Sequence, residues 1–599
     1  MKKFLFPFFS GVFFLFILFQ VFLVKNNESF SHEKSPKIIH KHFFDSSVHS
    51  TDPLDASDIY AERITLSIYD TLFEYRYLSR PYRLKPSLAL DFPQVSSDFL
   101  TYTITLKEGI FFQDDPCFPG GKGRELVAED FVYSLKRHFD NDSISSTSSW
   151  LLRDRIKGLD EWAGFASGHE VEGLKALNKT TIQVQLKEPF PQFVHSLTLA
   201  FTAIVPKEAV AFYGRAFAKH PVGSGAWILA ALNSKKIILK KNPNYRKDEV
   251  EEIDLESAPF GVMSEFAKLK GKTLPLCDEI EIHCFASTYD GWLSFQNGDE
   301  LDYIRLPRTM KGLSKIENLH GDFLSNYENK YSVYKEVSNE MQFFGFNMAH
   351  PDFGRRNDPY ENRRNKALRQ ALRYAFQWET MVQRTYSGRG EVFPGVFHSV
   401  FGESLNFLSK ESITYNPEKA KSLLKEYGWT AHNLPELIFT GVASISSQQE
   451  FELFRSFYTK IGYPEEKIKS VFYLSSQEMF GTLKASQHAS FGYIIWYVDI
   501  PDAFDLLQLF YSANRAPGMN LLNYENKEFD ALYVKISSLA DSRERSELIK
   551  KAVEIIIEDC PLISGFAPHN IHMWHKEFLL FPSKQTNYFK YIARKDSLN

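Results

Sequence analysis

The chain has 599 residues, too many for one compact core, so about two to four domains are expected. An apolar fraction of 44% beside 24% charged residues is that of an ordinary globular protein. A net charge of −4 leaves no basic footprint, which excludes nucleic acid as the expected partner.

The chain opens "MKKFLFPFFSGVFFLFILFQVFLVKNNES". Lys2 and Lys3 precede an uncharged run at residues 4–24, which as a helix would extend about 31 Å and could span a bilayer. Bulky residues continue up to Lys25 with no small-residue cleavage site. Residues 1–25 therefore read as a signal anchor, with a cleaved signal peptide as the alternative. No cysteine lies nearby, which excludes a lipoprotein site. Lysines on both flanks do not fix the orientation, and export of the body is inferred from the basic start. Residues 26–50 are polar and weakly patterned and read as a tether, in which His40 and His42 are expected to be solvated.

The body starts after the tether. "TYTITLKEGIFFQD" alternates as a strand and turns at Gly109; "AEDFVYSLKRHFD" has apolar residues at helical spacing behind an acidic first turn. "TTIQVQLKEPFPQF" is a second alternating strand, ending at Pro189. In "LPLCDEIEIHC" the alternation again predicts a strand, which sets Cys277 and Cys284 about 23 Å apart and forbids a bridge between them. With Cys117 and Cys560 these are the four cysteines, too few for a disulfide scaffold and without CxxC spacing for a metal, though one or two long-range bridges stay open. Long periodic helices follow at "NKALRQALRYAFQWETMVQRTY", "NPEKAKSLLKEYGW" and "SRERSELIKKAVEIIIEDCP". The class is mixed α/β, with several sheets and helices beside each.

Taken in order, "DPLDASDIYAERITLSIYDTLFEY", "GRELVAEDFVYSLKRHFD", "LKEPFPQF", "IVPKEAV", "HPVGSGAW", "LKKNPNYRK", "LCDEIEIHCF", "FQNGDELDYIRLP", "QFFGFNM", "RNKALRQALRYAFQWETMV" and "IIWYVDIPDAF…NYENKEFDALY" resemble the solute-binding proteins of peptide-type ABC importers (extracellular family 5). The resemblance covers nearly all of the chain after the tether. It implies a two-lobed, three-domain α/β periplasmic-binding-protein fold (type II, peptide-binding class). Domain I would be discontinuous, at residues 51–67, 204–339 and 563–599, with domain II at 68–203 and domain III at 340–562. Chain crossings between the lobes would form a hinge that closes on an extended ligand.

The resemblance also assigns a site. In peptide-binding members an acid three residues after a tryptophan pairs with the ligand's free α-amine, which here carries over to Trp496 and Asp499. Asp502 keeps a second acid, but Ile500, Pro501, Asp502 and Ala503 stand where an acid followed by proline is usual. Tyr493 stands where an arginine can receive a ligand carboxylate, so recognition of a peptide C-terminus is expected to differ. From residue chemistry, Asp499 and Asp502 could equally cap the helix that begins near Ala503. The family match favours the ligand role for Asp499 and leaves the cap for Asp502. Trp496 and Tyr497 point to opposite faces of an extended strand; Trp496 is taken as the cleft residue and Tyr497 as core.

Other features have structural readings. "HPVGSGAW" lacks the Gly-Lys-Ser/Thr of a phosphate loop and reads as a tight turn. His569, His572 and His575 lie at intervals of three, but a strand would turn His572 away from the other two, so no metal site is expected. Glu279 and Glu281 share one strand face and read as a solvated edge. No nucleophile elbow, HExxH or kinase set occurs, so no enzyme is expected. The reading is a periplasmic binding component, anchored by its N-terminus, that captures oligopeptides without a cofactor. It is expected to be a monomer that hands its ligand to an inner-membrane ABC permease. Alternatives are cell-wall peptides, another peptide-like solute or a metal chelate on the same fold, and, from another class, an envelope hydrolase or a ligand sensor.

Overall fold

The computed structural model describes residues 37–56, 58–140, 151–253, 264–297, 301–307, 325–397, 410–485, 491–516, 518–583 and 587–598. The N-terminal apolar run lies outside them. Among the described residues no helix is long and apolar enough to cross a membrane.

The first sheet has the order Ile39–Phe44, Glu279–Cys284, Lys236–Lys241, Trp227–Leu232, with the first pair parallel and the others antiparallel. Two expectations are corrected here. The tether ends sooner, because Ile39–Phe44 is a strand in which His40, His42 and Phe44 alternate into the core, and both histidines are fully buried rather than solvated. The strand bearing Glu279 and Glu281 is internal, not an edge. Its isoleucines, Ile280 and Ile282, are buried on one face, while the two carboxylates meet Lys37 and Lys236, each at 2.6 Å.

The inserted domain is built on a sheet of order Gln94–Val95, Thr101–Thr105, Thr181–Gln185, Leu174–Ala176, antiparallel throughout. Tyr102, Ile104, Ile182 and Val184 form its buried face, as the alternation predicts. The helix Ala128–Lys136 starts where Asp130 accepts the Val127 N–H and pairs with Arg124 through both oxygens. The chain enters and leaves this domain side by side, the Ile204 N–H donating to the Asp70 carbonyl at 3.0 Å. "HPVGSGAW" is the close approach its glycines suggest. Gly225 N–H donates to the Ile68 carbonyl, and a Cβ at Gly223 would stand 2.0 Å from that same oxygen.

The second lobe holds the helices Pro359–Ala375, Trp378–Thr385, Pro417–Glu426, Lys527–Ser538 and Arg543–Asp559, and a parallel pair, Leu437–Val442 with Ile468–Tyr473. It joins the first lobe through one long strand, Leu562–His575. The first half of that strand pairs with Glu340–Phe346 and Gly390–Val392 in the second lobe, and the remainder pairs with Tyr331–Val337 and Tyr303–Arg305 in the first. Next to it the chain also crosses at Ser338 and Asn339, where the Ser338 N–H donates to the Pro568 carbonyl at 2.9 Å. Two adjacent crossings tied to each other make a hinge with few residues to rotate. All four cysteines are free thiols.

Candidate functional site

At this hinge lies a cavity of about 110 Å³ walled by both lobes. The first lobe supplies Tyr60 and Arg63, one turn apart on the helix Ile59–Ile68, with Tyr303 and Arg305 from a short strand and Glu336 from the hinge strand. Tyr588 closes the floor, Asn339 marks the crossing, and Tyr497 comes from the second lobe.

The charged groups are held in place. The Arg305 guanidinium donates to Asp45 at 2.7 Å and to the Tyr60 hydroxyl at 3.0 Å, and Tyr60 in turn donates to Asp45. Burial would raise the Asp45 carboxyl, but the Arg305 charge and the Tyr60 hydroxyl outweigh it and hold it below the usual range. Glu336 behaves alike: burial raises it, and the His572 imidazole and Arg80 charge prevail, so the carboxyl sits low. His572 stands 3.1 Å from Glu336 through Nε2 and 2.7 Å from the Tyr303 hydroxyl through Nδ1. His42 stacks on Tyr303 with centroids 4.1 Å apart and bonds the Tyr588 hydroxyl at 3.0 Å; burial keeps it neutral by pushing its pKa well down. Arg63 lies over the Tyr588 ring at 4.4 Å and donates to the Ser583 carbonyl at 2.5 Å. The result is an aromatic chamber with fixed charges of both signs.

The residues expected from the sequence fall around one strand end. Phe491–Tyr497 pairs with Glu340–Phe346, and Tyr493 stands opposite Phe344; its side chain lies outside the described part. Of the two aromatics, Tyr497 lines the cavity, whereas Trp496 is half-buried against the core opposite Met341, its Nε1 without a hydrogen-bond partner among the described residues. Asp499 follows the strand end, as expected, but is not among the cavity-lining residues. Its N–H donates to Asp505 Oδ2 at 2.8 Å, which fixes the loop. Asp502 caps the helix Ala503–Leu507, accepting from the Phe504 N–H at 2.7 Å, and pairs with the buried Arg545 at 2.7 Å. Sequence reasoning passed over Asp505, Arg63, Arg305 and Glu336. For Asp505 the acid three residues after a cap was a usable signal. Tyr303 and Arg305, two apart in "LDYIRLP", share a strand face and could have been marked together. His569, His572 and His575 sit on the strand Leu562–His575.

Away from the hinge the lobes also meet. Phe190 of the inserted domain packs on Phe504 with centroids 5.0 Å apart, and Arg155 lies over both rings at 4.2 and 5.3 Å. Nearby, Gln192 donates to the Leu539 carbonyl at 3.2 Å.

The family model for bacterial extracellular solute-binding proteins, family 5 middle, matches residues 83–518. The chain belongs to this family. Among curated relatives, the glutathione-binding protein GsiB of Escherichia coli O1:K1 is 24% identical over 526 residues, 86% of this chain and 85% of that protein. Among solved structures, the periplasmic binding protein DppA of Helicobacter pylori in complex with the peptide STSA superposes with a TM-score of 0.70 at 21% identity, covering 94% of this chain and all 100% of that one. Haemophilus influenzae OppA with the peptide RPPGFSPFR gives 0.68 at 18% identity, with 94% and 99% coverage.

Proposed function

We propose that the chain captures oligopeptides between its lobes and passes them to an ABC permease, acting as a monomer without catalysis, with residues 1–25 holding it at the membrane. The observation that supports this reading is the hinge cavity, where Tyr497 of one lobe faces Tyr60, Arg305 and Glu336 of the other. A ligand touching both walls gains contacts only when the lobes are shut, so its binding free energy holds them closed. The peptide complexes of similar folds support the ligand class, and GsiB adds a short peptide-like thiol to it.

Asp499 is proposed to receive the ligand α-amine from the strand end. Incubating the purified body, residues 26–599, with a peptide mixture containing glutathione and identifying by mass spectrometry what co-purifies tests the function: intact peptides are expected, and trimmed products would point to a hydrolase. For the amine, Asp499→Asn should weaken a free peptide by about 2–4 kcal/mol and leave an N-acetylated peptide equally weak on both proteins. Calorimetry on the four combinations reads this coupling. A coupling near zero with intact wild-type binding moves the site to a ligand without a free N-terminus.

A further inference from the structure

The segment that carries Asp499 is pinned on both sides. Before it, the Val498 N–H donates to the Asn339 carbonyl at 3.1 Å, which ties the strand end to the hinge crossing beside the cavity. After it, the chain turns into the helix Ala503–Leu507, and the Asp505 carboxylate in the first turn accepts the Asp499 N–H through Oδ2 at 2.8 Å. Val498 and Ile500 are buried, while Asp499 between them is only half-buried. Asp505 is fully buried and is itself held in place. Its N–H donates to the Asp502 carbonyl at 3.1 Å, and Gln508 Nε2 donates to its carbonyl at 3.0 Å and to its Oδ1 at 3.2 Å. Each oxygen of this carboxylate therefore faces a donor, the Asp499 main chain on one side and the Gln508 amide on the other. Helix capping does not explain it, because Asp502 already caps the helix. A carboxylate is costly to bury, and this one grips the main chain of the residue that follows Val498 at the mouth of the hinge.

We infer that Asp505 is the positioning residue for ligand capture, fixing the main chain of Asp499 so that its carboxylate is already placed for the ligand α-amine. This rests on the proposed amine contact of Asp499 and deepens it. A carboxylate on a loose loop has to give up main-chain freedom when an ammonium binds, and that loss subtracts from affinity. With the Asp499 N–H fixed by a buried group, the ordering is complete when the chain folds. The place calls for an acceptor on both sides. Asparagine has one acceptor end and one donor end, so with its oxygen on the Asp499 N–H its NH2 group meets the Gln508 NH2 group, and it holds the loop less firmly. Alanine releases the loop altogether.

The test reads amine preference, which a merely structural role would not move. Wild type, Asp505→Asn and Asp505→Ala are dialysed against tri-, tetra- and pentaalanine, each with a free and with an N-acetylated N-terminus, and the ratio of the two affinities is taken for each protein. Asp505→Ala should bind the free peptides about tenfold more weakly than wild type and the acetylated ones equally, so that the ratio falls about tenfold. Asp505→Asn, which keeps one oxygen for the Asp499 N–H, should lie between the two, and it carries the test alone if Asp505→Ala does not fold. In an Asp499→Asn background the same substitutions should leave the ratio where that variant has already put it, because there is no carboxylate left to position. A ratio unchanged by both substitutions, or affinity lost equally for free and acetylated peptides, overturns the inference and leaves Asp505 as a packing residue of the loop. A further fall of the ratio in the Asp499→Asn background overturns it too, since Asp505 would then act on the amine without Asp499. Wild type that binds these peptides with no preference for the free amine overturns the Asp499 contact itself, and wild type that binds none of them overturns the peptide reading beneath both.

Discussion

Arg545 is a guanidinium only 5% exposed, and two carboxylates answer it: Asp502 at 2.7 Å from within the fold and Asp541 at 2.9 Å from the surface. Asp502 thus does two jobs, since the same oxygen also caps the helix Ala503–Leu507. Asp502→Asn keeps the cap, because asparagine is as good an N-cap, but removes the counter-charge. With Asp541 left to share the guanidinium, the expected loss of stability is about 2–3 kcal/mol, read by denaturant titration, while peptide affinity stays close to wild type. Asp502→Ala should lose about 1 kcal/mol more with the cap. The capping role was legible, because Asp before Ala503 and an apolar run is a helix start. The facing of Trp496 and Tyr497 was not. Alternation says they oppose each other, and only the placement of the strand against the other lobe says which meets the cavity. His40 and His42 show the reverse failure: composition suggested solvent, while their spacing of two, beside Phe44, was that of a strand face.

Single elements carry their own penalties. The helix Ile445–Thr459 buries Glu450, whose carboxyl accepts from the Tyr386 hydroxyl at 3.0 Å. Burial raises the Glu450 pKa from 4.5 to about 7, the Tyr386 bond offsetting only part of that. Below pH 4.5 the group is protonated in both folded and unfolded chains and has no effect. Between there and pH 7 the folded chain keeps a proton that the unfolded chain has released, so stability falls as pH rises. Above that the full penalty stands, about 3 kcal/mol. Glu450→Gln keeps an oxygen for Tyr386 and never ionises. Its stability relative to wild type should be near zero at pH 4 and should grow to that amount by pH 8, as followed by thermal unfolding. At this scale the sequence was most readable where the pattern was local: the helices Ala128–Lys136, Pro417–Glu426 and Arg543–Asp559 and the strands Thr101–Thr105 and Thr181–Gln185 lie where periodicity puts them. The long pattern "NKALRQALRYAFQWETMVQRTY" is instead two helices, broken after Ala375 because Phe376 turns inward onto Phe344, Trp378 and Phe457. Tertiary packing decided that break, and no local breaker announced it.

At the scale of the whole molecule, the proposed closure of two lobes on a ligand gives the contact among Arg155, Phe190 and Phe504 a part to play. Arg155 and Phe190 belong to the inserted domain, Phe504 to the lobe across the hinge. A rotation about Ser338 and Pro568 that opens the cavity is expected to separate them. Their attraction therefore adds to the closed state with no ligand present, and by linkage it adds the same amount to ligand affinity up to the point where closure is complete. A guanidinium lying over two neighbouring aromatic rings contributes about 1–2 kcal/mol. Arg155→Ala should shift the unliganded protein towards the open form, seen as a larger radius in solution scattering. It should also weaken a captured peptide by about five- to thirtyfold, mainly through faster release. Ligand should still contract the variant, because the cavity residues are untouched. A variant with the wild-type radius and wild-type release rate would show that the hinge alone sets closure and that these three side chains touch without biasing it.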